Sequence, residues 1–154
     1  MKQTVFVLTL LLFSSATIAQ KVKFSGEWIL NEDKSELGRE YSLAPASISI
    51  KQTRKLLVIN SVHIWKDQAL YSEQRFTLDG KESKNAGFGD STTLSTAKMN
   101  RESKTIKIVT QGRAEGLDYT FTQDISLREG HLVVNARAET ALGELLETFV
   151  FDKQ

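Results

Sequence analysis

The chain has 154 residues, no cysteine, one proline, and 20 basic against 19 acidic side chains. Without cysteine there is neither a disulfide framework nor a lipid-modified cysteine, and the balanced charge argues against nucleic acid or an anionic membrane surface as partner. The length, with no linker, low-complexity stretch or charge block, suits one domain with one core.

The first predicted element is a leader. Residues 1–19 carry Lys2, an apolar run from Val5 to Phe13, and small residues approaching Thr17-Ile18-Ala19, the layout of a secretory signal peptide cleaved near Ala19. The run is too short to span a bilayer. Its removal takes away Lys2 and no acid, leaving 19 basic and 19 acidic side chains. The expectation is a secreted protein, periplasmic or extracellular, with a single domain over residues 20–154.

The next stretch, "FSGEWIL", puts Phe24, Gly26, Trp28 and Leu30 on one face and Ser25, Glu27 and Ile29 on the other. Gly26 lets a first strand bend where a barrel must close, and Trp28 plugs the end of the interior. Asn31 to Gly38 suits one or two helical turns, with Asn31 as cap, acids in the first turn and Gly38 as stop.

Strand alternation follows at Ile48 and Ile50. Leu56 to Trp65 is apolar on both faces, which leaves its parity open. Tyr71, Glu73 and Arg75 share a face, read as a surface row with a Glu-Arg pair rather than an anion site. Asp79-Gly80 in "TLDGKE" is the strongest hairpin signal. Lys81 to Asp90 reads as a long link, and its "NAGFGD" lacks the Lys and Ser/Thr that complete a P-loop. It is taken as a hairpin loop, with Phe88 as a candidate lid tip over a barrel mouth.

Further strands alternate at Ile106 and Ile108, from Leu117 to Leu127, and from Leu132 to Ala138. Turns fall at Asn100 to Ser103, Glu129-Gly130 and Leu142-Gly143. Leu145 to Phe151 is again apolar on both faces. The pattern predicts an all-β fold: an antiparallel up-and-down meander of about eight to ten strands, nine by direct count. Barrel closure would remove its exposed edges.

The Gly-x-Trp core of "FSGEWIL" resembles the first strand of the calycin superfamily, the lipocalins and fatty-acid-binding proteins. "LNEDKSELG" resembles the start of small secreted lipocalin-like proteins of bacteria, and "FTLDGKE" a mid-barrel hairpin of that group. The resemblance implies a lipocalin-like barrel with a ligand-holding interior, and an arginine from near the chain end packed across Trp28. The last strand, "LLETFVFDK", has no arginine, and no Arg-x-Tyr stands there to hold a ligand carboxylate.

Alternation places Trp28, Ile48, Ile50, Phe76, Leu78, Leu94, Ile106, Ile108, Tyr119, Phe121, Ile125, Leu132 and Val134 inward, with Gln74, Thr110 and Gln123 on the same faces. An apolar interior with a few amides and hydroxyls suits a small hydrophobic, lipid-like ligand oriented by one or two hydrogen bonds. The candidate ligand-binding residues are Trp28, Gln74, Phe76, Ile108, Tyr119, Phe121 and Gln123. No charged residue is assigned inward, which argues against a carboxylate clamp.

Gln74 and Gln123 as paired core amides is an equal reading. His63 and His131 read as solvated strand histidines, and no metal ligand set is assigned. There is no Gly-x-Ser-x-Gly elbow, His-Glu-x-x-His or cysteine nucleophile. No catalytic residue and no cofactor is therefore assigned. The alternatives are a filled barrel that binds a cell-envelope protein through an outer strip at Leu57, Ile59 and Trp65, or an enzyme using the same pocket. A membrane-spanning barrel is disfavoured, since it would turn the apolar faces outward and need aromatic girdles.

Overall fold

The computed structural model describes residues 23–154, so the leader expected over residues 1–19 lies outside the described residues. Ten antiparallel strands form one sheet: β1 (Gly26–Leu30), β2 (Ser47–Gln52), β3 (Leu56–Trp65), β4 (Gln68–Thr77), β5 (Asp79–Ala86), β6 (Thr92–Asn100), β7 (Thr105–Ala114), β8 (Leu117–Arg128), β9 (His131–Thr140) and β10 (Gly143–Lys153). Their order, β4-β3-β2-β1-β10-β9-β8-β7-β6-β5, is an up-and-down meander in which the first strand pairs with the last. The expected fold class is the observed one.

Tight turns join the strands. Lys66-Asp67, Glu115-Gly116 and Glu129-Gly130 each take positive φ at both positions, the type I′ geometry whose twist matches the flanking strands. Asp79-Gly80 behaves differently from the hairpin expected there. β4 ends at Thr77 and β5 starts at Asp79, yet the two strands form no ladder, and Gly80 (φ 82°) sits inside β5 where its register with β6 slips between Asp79 and Glu82. The glycine serves a bulge.

The tenth strand is β5, which absorbs most of the segment read as a long link. Its residues are polar on both faces, so no alternation marks it; pairing with β6 makes it a strand. β4 and β5 are the two edges of the sheet, and side chains bridge them. The Arg75 N–H donates to Asn85 Oδ1 at 2.7 Å, Asn85 Nδ2 donates to the Arg75 carbonyl at 3.1 Å, and the Thr77 N–H donates to Ser83 Oγ at 3.2 Å. An asparagine side chain thus stands in for a missing stretch of ladder and satisfies an otherwise open edge.

Between β1 and β2 the helical turn shrinks to a 3-10 turn at Glu32–Lys34, capped by Asn31 Oδ1, which accepts the Lys34 N–H at 3.1 Å. Ser35, rather than Gly38, ends it. Asn31 Nδ2 also donates to Asp152 Oδ2 at 2.7 Å, while Asp152 Oδ1 lies 2.7 Å from His131 Nδ1. His131 is therefore held by a carboxylate and is not simply solvated. The chain then returns to β10, where Glu36 and Thr148 exchange both backbone hydrogen bonds.

The dry core fills the end of the barrel reached by the β2–β3, β4–β5, β6–β7 and β8–β9 connections. Phe24, Leu57, Phe76, Ile106, Leu132, Phe149 and Phe151 are buried there together with Trp28. Trp28 Nε1 donates to the Phe24 carbonyl at 3.1 Å, so the indole is satisfied as well as packed. Lys153, paired with Trp28 across β10, carries its ammonium 5.6 Å from the Trp28 ring centroid. A lysine supplies the cation that the resemblance implied as an arginine.

Most inward assignments hold. Leu94 is the exception, since β6 turns Thr93, Ser95 and Ala97 inward and leaves Leu94 partly exposed. Leu57 and Ile59 point inward and are buried, so of the three residues expected to form an outer apolar strip on β3 only Trp65 is exposed. Apolar faces turn in and charged ones out, as with Arg75 beside Glu73 at 2.8 Å, the reverse of a membrane barrel. No helix among the described residues is long and apolar enough to cross a membrane.

Candidate ligand-binding site

The opposite end carries the connections β1–β2, β3–β4, β5–β6, β7–β8 and β9–β10, and here the interior loosens. Cross-strand register stacks the inward residues in rows. One row runs Glu147, Ala136, Gln123, Ile108, Ala97; the next, toward the mouth, runs Leu145, Ala138, Phe121, Thr110, Ser95; a third begins Gly143, Thr140, Tyr119, Gly112. Alanine, serine and glycine recur in these rows, so their side chains fill less volume than the aromatics and isoleucines of the dry end. The Tyr119 ring lies over Gly112 where a Cβ would stand, with Oη 2.5 Å away, so a side chain there would push the ring aside.

Exposure follows the rows. Ile108 and Ala97 are dry, whereas Phe121, Tyr119 and Gln123 point inward yet are only half-buried, as are Gln74 on β4 and His63 on β3. The partly exposed inward residues thus gather toward this mouth. Some inward polar groups pair within the protein: Ser95 Oγ with Thr110 Oγ1 at 2.9 Å, and Ser61 Oγ with Ser72 Oγ at 2.8 Å. Four are left over from these pairings, the Gln74 and Gln123 amides, the His63 imidazole and the Tyr119 hydroxyl. Burial alone lowers the His63 pKa and raises that of Tyr119, so both are neutral near pH 7.

A flap formed by the β1–β2 connection covers one side of the mouth. Its anchor is Glu147, an inward glutamate with only 4 % of its surface exposed. Oε1 accepts the Gly38 N–H at 2.8 Å and Oε2 the Leu43 N–H at 2.9 Å. Gly38 allows the tight course of the flap, since a Cβ there would strike the Tyr41 carbonyl. Leu37 and Ala44 of the flap pack onto the core.

Each of the five connections at this end also exposes a large apolar residue at or beside its turn: Tyr41, Trp65, Phe88, Leu117 and Leu142. Phe88 stands in the loop closed by Gly87 N–H to the Ser91 carbonyl at 2.9 Å, with its ring turned to solvent. Two concavities, of about 390 and 460 Å³, lie outside the barrel. One is on the outer face of β8–β10 and the other beside the β5–β6 loop. The first is lined mostly by polar and charged residues, among them Arg137 paired with Glu139 at 3.1 Å, and neither is the apolar kind of pocket that a hydrophobic ligand needs.

The structure divides the sequence-predicted site residues into two sets. Trp28, Phe76 and Ile108 are packed by protein in the dry core beneath the lumen, while Gln74, Tyr119, Phe121 and Gln123 line the part that solvent reaches. Sequence reasoning missed Glu147 and Asn85. Glu147 has the parity of Phe149 and Phe151, so fixing either aromatic inward would have found it. No group of three or more His, Cys, Asp or Glu side chains among the described residues could hold a metal ion.

No protein-family model and no curated protein matches the chain by sequence. Solved structures match by shape. Zebrafish ileal bile acid-binding protein, crystallised with cholic acid, superposes with a TM-score of 0.57 at 16 % identity over 85 % of this chain and 98 % of its own. Fatty-acid-binding protein 1 of Echinococcus granulosus does so with a TM-score of 0.55 at 14 % identity, over 84 % and 96 %. The chain shares their fold. It is a ten-stranded antiparallel up-and-down barrel, and at such identity the likeness extends to the architecture alone.

Proposed function

We propose that the protein binds one small hydrophobic ligand in the mouth half of the barrel. The observation that carries this reading is the partial exposure of inward residues: Tyr119, Phe121 and Gln123 face inward on β8 yet stay half-buried, beside small residues such as Gly112, Ala136 and Ala138 on the neighbouring strands. A barrel of this size either packs its interior or holds one ligand, and exposed inward aromatics belong to the second case. The architecture of the bile acid- and fatty-acid-binding neighbours supports it. Affinity would come from apolar area buried against Phe121, Tyr119 and Leu145.

The proposal includes export: cleavage near Ala19 would release the domain outside the cytoplasm. The rival reading, an interaction module of the cell envelope, loses two of its three expected surface residues, Leu57 and Ile59, which are buried. Native mass spectrometry of gently purified protein, followed by solvent extraction, tests the binding reading. A co-purifying apolar molecule is expected, and restoring it at a hundredfold excess over Kd should stabilise the fold by about 2.7 kcal/mol. A bare mass with no uptake of apolar probes would sink the reading. A mature N-terminus at Gln20 is the expected result for export.

A further inference from the structure

We infer that the lumen selects uncharged amphiphiles over anionic ones, with Glu147 as the residue that sets the choice; this rests on the binding reading above. In the three mouth-side rows of β6–β10 the one inward charge is the Glu147 carboxylate, buried on the lumen's floor row. Its oxygens already accept the Gly38 and Leu43 N–H groups, so it offers a ligand negative charge and no donor.

The cations Arg39, Lys66 and Arg113 at this end are exposed, and the last two have other partners. Arg39 of the flap is exposed beside Glu40. Lys66 lies over Trp65, and Arg113 donates to the Gly116 carbonyl near Asp118. The inward Lys153 is at the far end, over Trp28. An anionic head group entering the lumen would lose its hydration, find no counter-charge and approach a fixed carboxylate. A hydroxyl, ester or amide head would instead meet the donors and acceptors of Gln74, Gln123, His63 and Tyr119, all neutral.

The test uses a matched probe pair, pyrene-labelled dodecanoic acid and the corresponding pyrene-labelled dodecanol, titrated into the full mature chain at a pH where the acid is ionised. The alcohol is expected to bind about tenfold or more tightly than the acid. Glu147→Gln should narrow that ratio chiefly by strengthening the acid, and Gln123→Leu should narrow it by weakening the alcohol. The second variant keeps the test decisive if the first loosens the flap or fails to fold. Equal binding of the two probes, or a ratio unmoved by folded variants, would overturn the selectivity while leaving the binding reading intact. Failure of both probes to bind would overturn the binding reading itself.

Discussion

At the residue scale, His63 shows how a fold assigns a chemical state that composition cannot. On β3 it sits on the inward face near the mouth, and burial lowers its pKa from 6.5. The unfolded chain therefore takes up the proton first as pH falls. The stability tied to neutral His63 is complete above pH 6.5 and declines as pH drops below that value toward the folded pKa. Urea denaturation across that range should show a steeper acid-side loss for the parent than for His63→Gln; parallel slopes would place His63 in open solvent. Trp28 was legible as a buried plug because Gly-x-Trp sits within an alternating strand, whereas its cation, Lys153, required knowledge that β1 pairs with β10.

At the element scale, the β4/β5 junction depends on one side chain. Asn85 both accepts from and donates to the backbone of Arg75 and is buried, so Asn85→Ala leaves a buried donor and acceptor unpaired. Such losses cost about 1–3 kcal/mol each at most, and the unfolding midpoint in urea should fall accordingly. Asn85→Asp should also weaken the junction, because it keeps the acceptor and loses the donor. A midpoint unchanged by Asn85→Ala would mean that water replaces the amide. β5 was not legible as a strand, since "DGKESKNA" has no apolar alternation and owes its form to β6. The long β8 was, because Tyr119, Phe121, Ile125 and Leu127 keep strict parity.

At the scale of the whole molecule, the barrel has a dry end, a wet end and one seam. Strands β7–β10 are paired on both sides and supply much of the core, while Gln68–Glu73 of β4 are exposed at the seam. Arg75 and Thr77 turn their N–H groups toward that seam, and by the two-residue period so do Tyr71 and Glu73. Hydrogen exchange should be slowest in β8 to β10 and fastest in the outer half of β4. Exchange starting in β9 would contradict this order.

That the chain is all-β, antiparallel and barrel-forming was legible locally, because period-two alternation and turn residues are properties written residue by residue. Alternation also placed Trp28, Ile108, Phe121 and Val134 inward. Where both faces of a segment are apolar, as at Leu145 to Phe151, parity carries no local signal, so the inward Glu147 and the flap it holds emerged only from the pairing of β10 with β9. The seam at β4 and β5, the bulge at Gly80 and the partial exposure of Tyr119 and Phe121 at the mouth are likewise set by tertiary structure. Each depends on which strands meet and how much volume facing side chains fill, and neither quantity belongs to any one stretch of chain.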